Sequence, residues 1–207
     1  MGMRDFLGEH GISFSASTYQ ANSVLTYSSI DVQVMKVLRP MGITTKGNRL
    51  AVGGAITVTQ YHGMGDLGKA IAKPATRQHA ALAYDTDLYY LPHNFSTIGG
   101  VNVHDVAFSH DEELWFCNTK FSCLCKLDFH YSFVPFWKPP FIGELTPEDK
   151  CHLNGLAVGR HNVATMFAMS DQKEGWRDNV KNQGMLVEVP TGEVVADGLS
   201  MPHSPRS

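Results

Sequence analysis

Three copies of one short pattern recur along this 207-residue chain and constrain its fold more than any other feature. Each copy is a strand, a polar turn and a second strand. The first runs from Met41-Gly42-Ile43-Thr44 to Leu50-Ala51-Val52, and the second from His104-Asp105-Val106-Ala107-Phe108 to Leu114-Trp115-Phe116. The third runs from Asn154-Gly155-Leu156-Ala157-Val158 to Val163-Ala164-Thr165. Their turns, Lys46-Gly47-Asn48, His110-Asp111-Glu112 and Gly159-Arg160-His161-Asn162, carry the Gly, Asn and Asp that tight hairpins use. A fourth copy opens at His203-Ser204-Pro205-Arg206. The leading residues Met41, His104, Asn154 and His203 lie 63, 50 and 49 positions apart. Two of these intervals are near the ~40–50 residues of one four-stranded propeller blade, and the longer first interval predicts an insertion.

The residues between these hairpins supply outer strands. Residues 185–189 and 194–196 flank the turn Pro190-Thr191-Gly192-Glu193, residues 22–27 and 31–38 pair the same way, and residues 12–18 alternate as an inner strand of a first blade. Helical periodicity is nearly absent. The chain therefore reads as all-β, a β-propeller-like array of four-stranded blades, with residues 1–10 an N-terminal extension and residues 11–207 a partial propeller domain. The repeat counts three blades plus a stub at His203, fewer than the roughly four to eight of a closed ring. The expectation is a fragment of a longer parent, or a half-ring that closes with a partner. Open strand edges and uncovered apolar faces predict self-association of such an array.

Charge narrows the partners. Lys plus Arg number 17 against 20 Asp plus Glu, a net charge of −3, which favours neither nucleic acid nor an anionic membrane surface. No apolar run approaches the ~18 residues of a membrane span, and the opening Met1-Gly2-Met3-Arg4-Asp5-Phe6 lacks a signal-peptide core. The expected compartment is the cytoplasm. There Cys117, Cys123, Cys125 and Cys151 stay reduced, and they include no C-x2-C ligand pair. The sequon Asn94-Phe95-Ser96 has meaning only in a secreted chain.

Longer motifs carry a family resemblance. They are Thr18-Tyr19-Gln20-Ala21-Asn22, Arg39-Pro40-Met41-Gly42, Val103-His104-Asp105, Leu114-Trp115-Phe116-Cys117-Asn118-Thr119 and Phe121-Ser122-Cys123-Leu124. Further on come Ser132-Phe133-Val134-Pro135 with Pro139-Pro140-Phe141-Ile142, Cys151-His152-Leu153-Asn154-Gly155, Gly175-Trp176-Arg177 and Gly198-Leu199-Ser200-Met201-Pro202-His203-Ser204-Pro205-Arg206. Over nearly its whole length the chain resembles an uncharacterised, mainly bacterial family of propeller-type proteins, some of which occur with tetratricopeptide repeats. The resemblance implies further blades beyond the last motif, and a tryptophan where Ser207 stands here. It assigns no activity and no residue role.

The repeat itself points to a site. Inner strands of a propeller surround a channel, so His104, Asn154 and His203, at one register, face one axis. Side chains alternate with period 2, which places Asn102, His152 and Met201 in a second ring. His104, His152, Asn154 and His203 are the candidate ligands of a divalent metal such as zinc, for which neutral imidazole is a favoured donor. The same groups also suit hydrogen bonding to strand ends and channel water. Asn154-Gly155-Leu156-Ala157-Val158 resembles the inner strand of calcium-dependent lactonase propellers, but His104 and His203 stand where calcium wants oxygen. Three functions follow: a ligand- or metal-binding domain, a metal-dependent hydrolase or lyase acting on a small polar molecule with Asp105 or Glu144 as base, or a non-enzymatic protein-interaction domain.

Other features point elsewhere. Gly63-Met64-Gly65-Asp66-Leu67-Gly68-Lys69-Ala70 satisfies G-x-G-x-x-G, with Asp85 and Asp87 about 20 residues on, and nearly satisfies a P-loop. Ala70 lacks the magnesium-binding hydroxyl and Pro74 interrupts the required helix, so the segment reads as an inserted loop. Residues 121–141 hold Phe129, Tyr131, Phe133, Phe136 and Trp137 among three prolines, and read as an ordered loop serving as lid, partner surface or plug. Cys123 and Cys125 share a strand face and read as buried thiols.

Overall fold

The computed structural model describes residues 2–30, 32–65 and 89–206. After a helix α1 (Met3–His10), the strands form four antiparallel sheets. The first holds β1 (Phe14–Thr18), β2 (Ser23–Tyr27) and β3 (Val32–Lys36). The second holds β4 (Ile43–Lys46), β5 (Arg49–Gly53), β6 (Thr57–Met64) and β7 (Tyr89–Thr97). The third holds β8 (Val103–Phe108), β9 (Leu114–Asn118), β10 (Cys123–Asp128) and β11 (Ser132–Trp137). The fourth holds β12 (Leu153–Ala157), β13 (Asn162–Met166), β14 (Gly184–Val189) and β15 (Val194–Leu199). Sequential meanders with β4, β8 and β12 innermost and adjacent make this a propeller arrangement.

Four blades stand where the repeat predicts three and a stub. The first blade escapes the count because it carries no copy of the inner hairpin. β1 is followed by Tyr19 and left-handed Asn22 (φ 51°), just as β9 is followed by Thr119 and left-handed Ser122 (φ 56°). Residues 12–18 thus match a second strand, not the expected inner one. The expected stub forms no strand: Pro202 and Pro205 lack donors and Ser204 is left-handed (φ 48°). Helix α1 also departs from the strand-only reading. Its Leu7 is buried, and Gly11 ends it in the left-handed conformation at φ 59°.

Both faces of the inner blades are buried, which explains their continuous apolar runs. On β9 and β10, Leu114, Phe116, Cys123 and Cys125 join Val103 of β8 in packing toward Ala51 and Val58 of the second blade. The alternate residues Cys117 and Leu124 pack toward the fourth with Leu153, Leu156 and Met166. Inner strands approach closely at the axis, where a Cβ on Gly42 would come 2.6 Å from Asp105 Cα. Each inner element is entered through a left-handed residue, Arg39 (47°), Asn102 (55°), His152 (51°) or Met201 (47°), at the same intervals as the sequence repeat. β-Bulges follow at Val103/Val106 and Leu153/Gly155.

The aromatic segment is not a loop. Its Pro135 lies on β11, an edge strand, where a missing N–H is tolerated. Phe133 packs edge-on to Phe116, and Trp137 donates its indole N–H to Pro190 O at 2.9 Å. Gly63 and Met64 close β6, paired with Tyr90 and Tyr89, while the rest of the glycine motif from Asp66, with Pro74, Asp85 and Asp87, lies outside the described residues. No helix among the described residues is long and apolar enough to cross a membrane.

Candidate functional site

The turns that enter the inner strands surround a cavity of about 500 Å³ at one mouth of the axis. Arg39 and Met41, Asn102 and His104, His152, and His203 and Ser204 line it, so all four repeat units contribute. Three of the four expected site residues meet here. Asn154 does not: it is buried in the strand, where Oδ1 accepts the Thr165 hydroxyl at 2.8 Å and Nδ2 has no partner.

Each cavity histidine is anchored through Nδ1. His203 Nδ1 donates to Met201 O at 2.7 Å. His152 Nδ1 pairs with Asp149 Oδ2 at 2.8 Å. His104 Nδ1 shares its proton between Asn102 O (3.1 Å) and Thr119 Oγ1 (2.8 Å). Thr119 spends its own hydrogen on Leu153 O (2.6 Å), so toward His104 it only accepts. The Nδ1–H tautomer follows in each neutral ring, leaving Nε2 as a lone-pair acceptor. Burial holds His104 down to about 4, reinforced by the neighbouring His152 charge, against the opposing Asn102 carbonyl and Asp149 carboxylate. It is neutral at pH 7.

Aromatic side chains fix these rings in place. His152 lies 4.8 Å from His104, 4.2 Å from Trp176 and 4.5 Å from Phe167, between ring centroids. Phe167 also sits 5.1 Å from His203, lying against both histidines. Among the described residues no group of three or more His, Cys, Asp or Glu is arranged to hold a metal ion. Two residues of the cavity lining each hold one polar atom buried away from its surface without a partner, Trp176 Nε1 and Asp149 Oδ1. Each such atom costs ~1–3 kcal/mol unless something satisfies it. The guanidinium groups of Arg39 and Arg177 stand over the rings of Tyr19 and Trp176, at 4.7 Å and 4.3 Å.

Deeper on the axis, Asp105 is 1% exposed and is held by Arg206 Nη1 at 2.9 Å and by the N–H groups of Val106 and Leu156. It is tied into the strands rather than lining the cavity as a base. Glu144 is also away from the cavity, where its carbonyl accepts Lys150 Nζ at 3.0 Å. The far mouth is a smaller cavity of about 190 Å³, bordered by Lys46, Phe108, Val158 and Arg206. All four cysteines are free and buried, and burial raises the thiols of Cys117 and Cys151, the latter to about 12. Of the aromatic segment, Phe129 is 97% exposed at the β10–β11 turn.

Sequence reasoning missed Thr119, Asp149, Phe167 and Trp176. Asp149 carries a local signal, three residues before His152. Thr119 and Phe167 each directly follow the second strand of a blade, a register the inner-strand repeat does not reach.

Fold and axial cavity together define a β-propeller. The chain belongs to a domain family of unknown function, DUF4915, which matches it over residues 1–207. Among curated proteins none matches. Similar solved structures include a streptogramin B lyase, with a TM-score of 0.52 at 11% identity over 94% of this chain and 55% of that one. Another is the selenomethionine-substituted virginiamycin B lyase of Staphylococcus aureus, with a TM-score of 0.50 at 9% identity over 94% of this chain and 71% of that one. At such identities the likeness shows the fold alone. The chain spans about half the length of the streptogramin B lyase structure.

Proposed function

We propose that this protein is a ligand-binding β-propeller domain whose site is the axial cavity lined by His104, His152 and His203. The supporting observation is the common anchoring of the three imidazoles. Their Nδ1 protons are taken by a hydroxyl, carbonyl groups and a carboxylate of the protein, so each ring, when neutral, keeps its Nε2 lone pair for a ligand. A thermal-shift screen of small polar metabolites tests this. A ligand that raises the melting temperature of wild type by several degrees, and leaves a His104→Asn/His203→Asn double variant unshifted, is expected; failure of a broad library to stabilise the protein removes the reading.

The metal version of the site draws on the same anchoring, which is how ligating histidines are oriented. His104, His152 and His203 would supply Nε2 donors, and the arrangement of described residues gives this version less support than direct ligand binding. Elemental analysis of protein made with metals available, finding below about a tenth of an equivalent, would eliminate it.

A second reading, a hydrolase or lyase acting on a small polar molecule, has one specific support. The Asp149–His152 pair has the arrangement in which a carboxylate orients an imidazole to act as base through Nε2. The fold shared with two lyases is analogy and transfers no chemistry. Turnover of lactones, esters or amides that survives His152→Gln unchanged would exclude it.

A further inference from the structure

The first blade has three strands where the other three have four, and the strand it lacks is the inner one. β1 is the edge of its sheet, and among the described residues no strand pairs with its free side. That blade is also uncovered on one face. Ser17, Val24 and Met35 share the face toward the second blade, where Val24 joins Leu50 and Val52 in a core cluster. The alternate residues Phe14, Ala16, Leu25 and Val34 face away, with Phe14 41% and Val34 56% exposed. The other end of the chain carries the missing piece. Met201-Pro202-His203 repeats the entry to an inner strand, with left-handed Met201 corresponding to Asn102 and His152. The two prolines of this segment fit an inner strand once a partner is supplied. Pro202 stands where Pro40 stands, and Pro40 precedes a four-stranded blade. Pro205 stands where Val106 and Leu156 stand, whose N–H groups are taken by the Asp105 carboxylate at 3.0 Å and 3.2 Å. A proline at this position therefore costs the strand none of its ladder bonds. Pro205 already lies against β12, where a Cβ on Gly155 would come 2.4 Å from its Cδ.

Independently of the ligand site, we propose that the chain pairs with a second copy of itself, residues 202–206 of each joining the free edge of β1 in the other as an inner strand. The third and fourth blades set one register for this pairing. Val106 opposite Phe116 and Leu156 opposite Ala164 both translate to Pro205 opposite Ala16. Ala107 opposite Trp115 and Ala157 opposite Val163 both translate to Arg206 opposite Ser15. The uncovered face of the first blade then rests on the fourth blade of the other copy. That blade presents the half-buried Val163 and Leu186, which alternate with the core residues Ala164 and Val187. Curvature favours a second copy over the segment of the same chain. Four blades superpose on 55% of the streptogramin B lyase chain, about half of such a ring, which leaves the two ends of one arc unjoined. Two reciprocal contacts join eight blades, within the roughly four to eight of a closed propeller.

Sedimentation equilibrium of the 207-residue protein is expected to give a species of twice its 22.8 kDa. Val34→Asp, at an exposed position of the outward face, leaves the fold intact and is expected to weaken the dimer at least tenfold. Cross-linking tests the register and the source of the strand together. Ala16→Cys and Pro205→Cys proteins, each with one added thiol beside four buried ones, are mixed under oxidising conditions. The expected product is the mixed disulfide between them, whereas Ser17→Cys, one residue out of register and facing the second blade, gives little with Pro205→Cys. A monomer at every concentration overturns the proposal. So does a dimer that forms no mixed disulfide, or one that Val34→Asp leaves unweakened. A disulfide confined within single chains of the double variant would mean that the segment closes its own ring, and species growing past the dimer would refute reciprocal closure.

Discussion

Protonating His104 should destabilise this protein, and the structure sets the size and the pH window of the effect. In the folded chain the imidazole is held down to about 4 from an ordinary value of 6.5, first by burial and then by the neighbouring His152 charge. Its one N–H is already shared between Asn102 O and Thr119 Oγ1, so an added proton must go to Nε2 inside the cavity. Between pH 6.5 and about 4 the unfolded chain takes up a proton that the folded chain refuses. Stability therefore falls as pH drops through this window, is fully retained above it, and shows no further His104 loss below it. At ~1.4 kcal/mol per pH unit the full gap corresponds to about 3 kcal/mol, and partial exposure of the ring reduces this to about 2–3. His104→Asn keeps an N–H near the Nδ1 position and removes the titration. Urea denaturation of both proteins from pH 4 to 7.5 isolates His104 together with its coupling to His152 and His203, since the other seven of the chain's ten histidines cancel in the difference. The wild-type advantage should shrink by about 2–3 kcal/mol on acidification. Parallel stability curves, or a His104 ring signal titrating near 6.5 in the folded protein, would refute the reasoning.

Arg206→Ala leaves the 1%-exposed Asp105 carboxylate with only two backbone donors; because Arg206 itself is half exposed, a loss of about 2–3 kcal/mol is expected rather than the ~3–5 of a fully buried pair. A double-mutant cycle with Asp105→Asn should recover part of it, and strict additivity in chemical denaturation would show the two groups uncoupled. Gly42→Ala drives a methyl against the Asp105 backbone, so a loss of about 2–3 kcal/mol is expected by thermal melts, and a wild-type melting temperature would mean the inner strands are farther apart than described. The buried thiols of Cys117, Cys123, Cys125 and Cys151 should resist a thiol reagent until denaturant is added; rapid native labelling of any of them would contradict their burial.

Sequence alone carried the propeller because the fold's periodicity is written where its physics is most demanding. The inner hairpins are buried on both faces and turn tightly, so their apolar runs and Gly, Asn and Asp turns repeat visibly. The intervals of 63, 50 and 49 reappear as the spacing of the left-handed residues Arg39, Asn102, His152 and Met201. What the repeat cannot carry is anything outside that hairpin. The first blade, β1 to β3, lacks the inner strand that defines the signature, which is why the count fell short. His104 and Asn154 share a register in sequence yet part in space, because a bulge ends the alternation with period 2 at each strand entry. On β8 the two residues His104 and Asp105 oppose one partner, whereas on β12 Asn154 is itself the extra residue and turns to Thr165. Trp176 comes from a 3₁₀ turn, Gly175–Asn179, in the long link between β13 and β14, and Asp149 from the link before β12. Both are placed by tertiary packing against His152, an interaction with no fixed spacing. The axial histidines were therefore legible as a ring, while Asp149, Phe167 and Trp176, which hold His152 in place, emerge only once the blades are assembled.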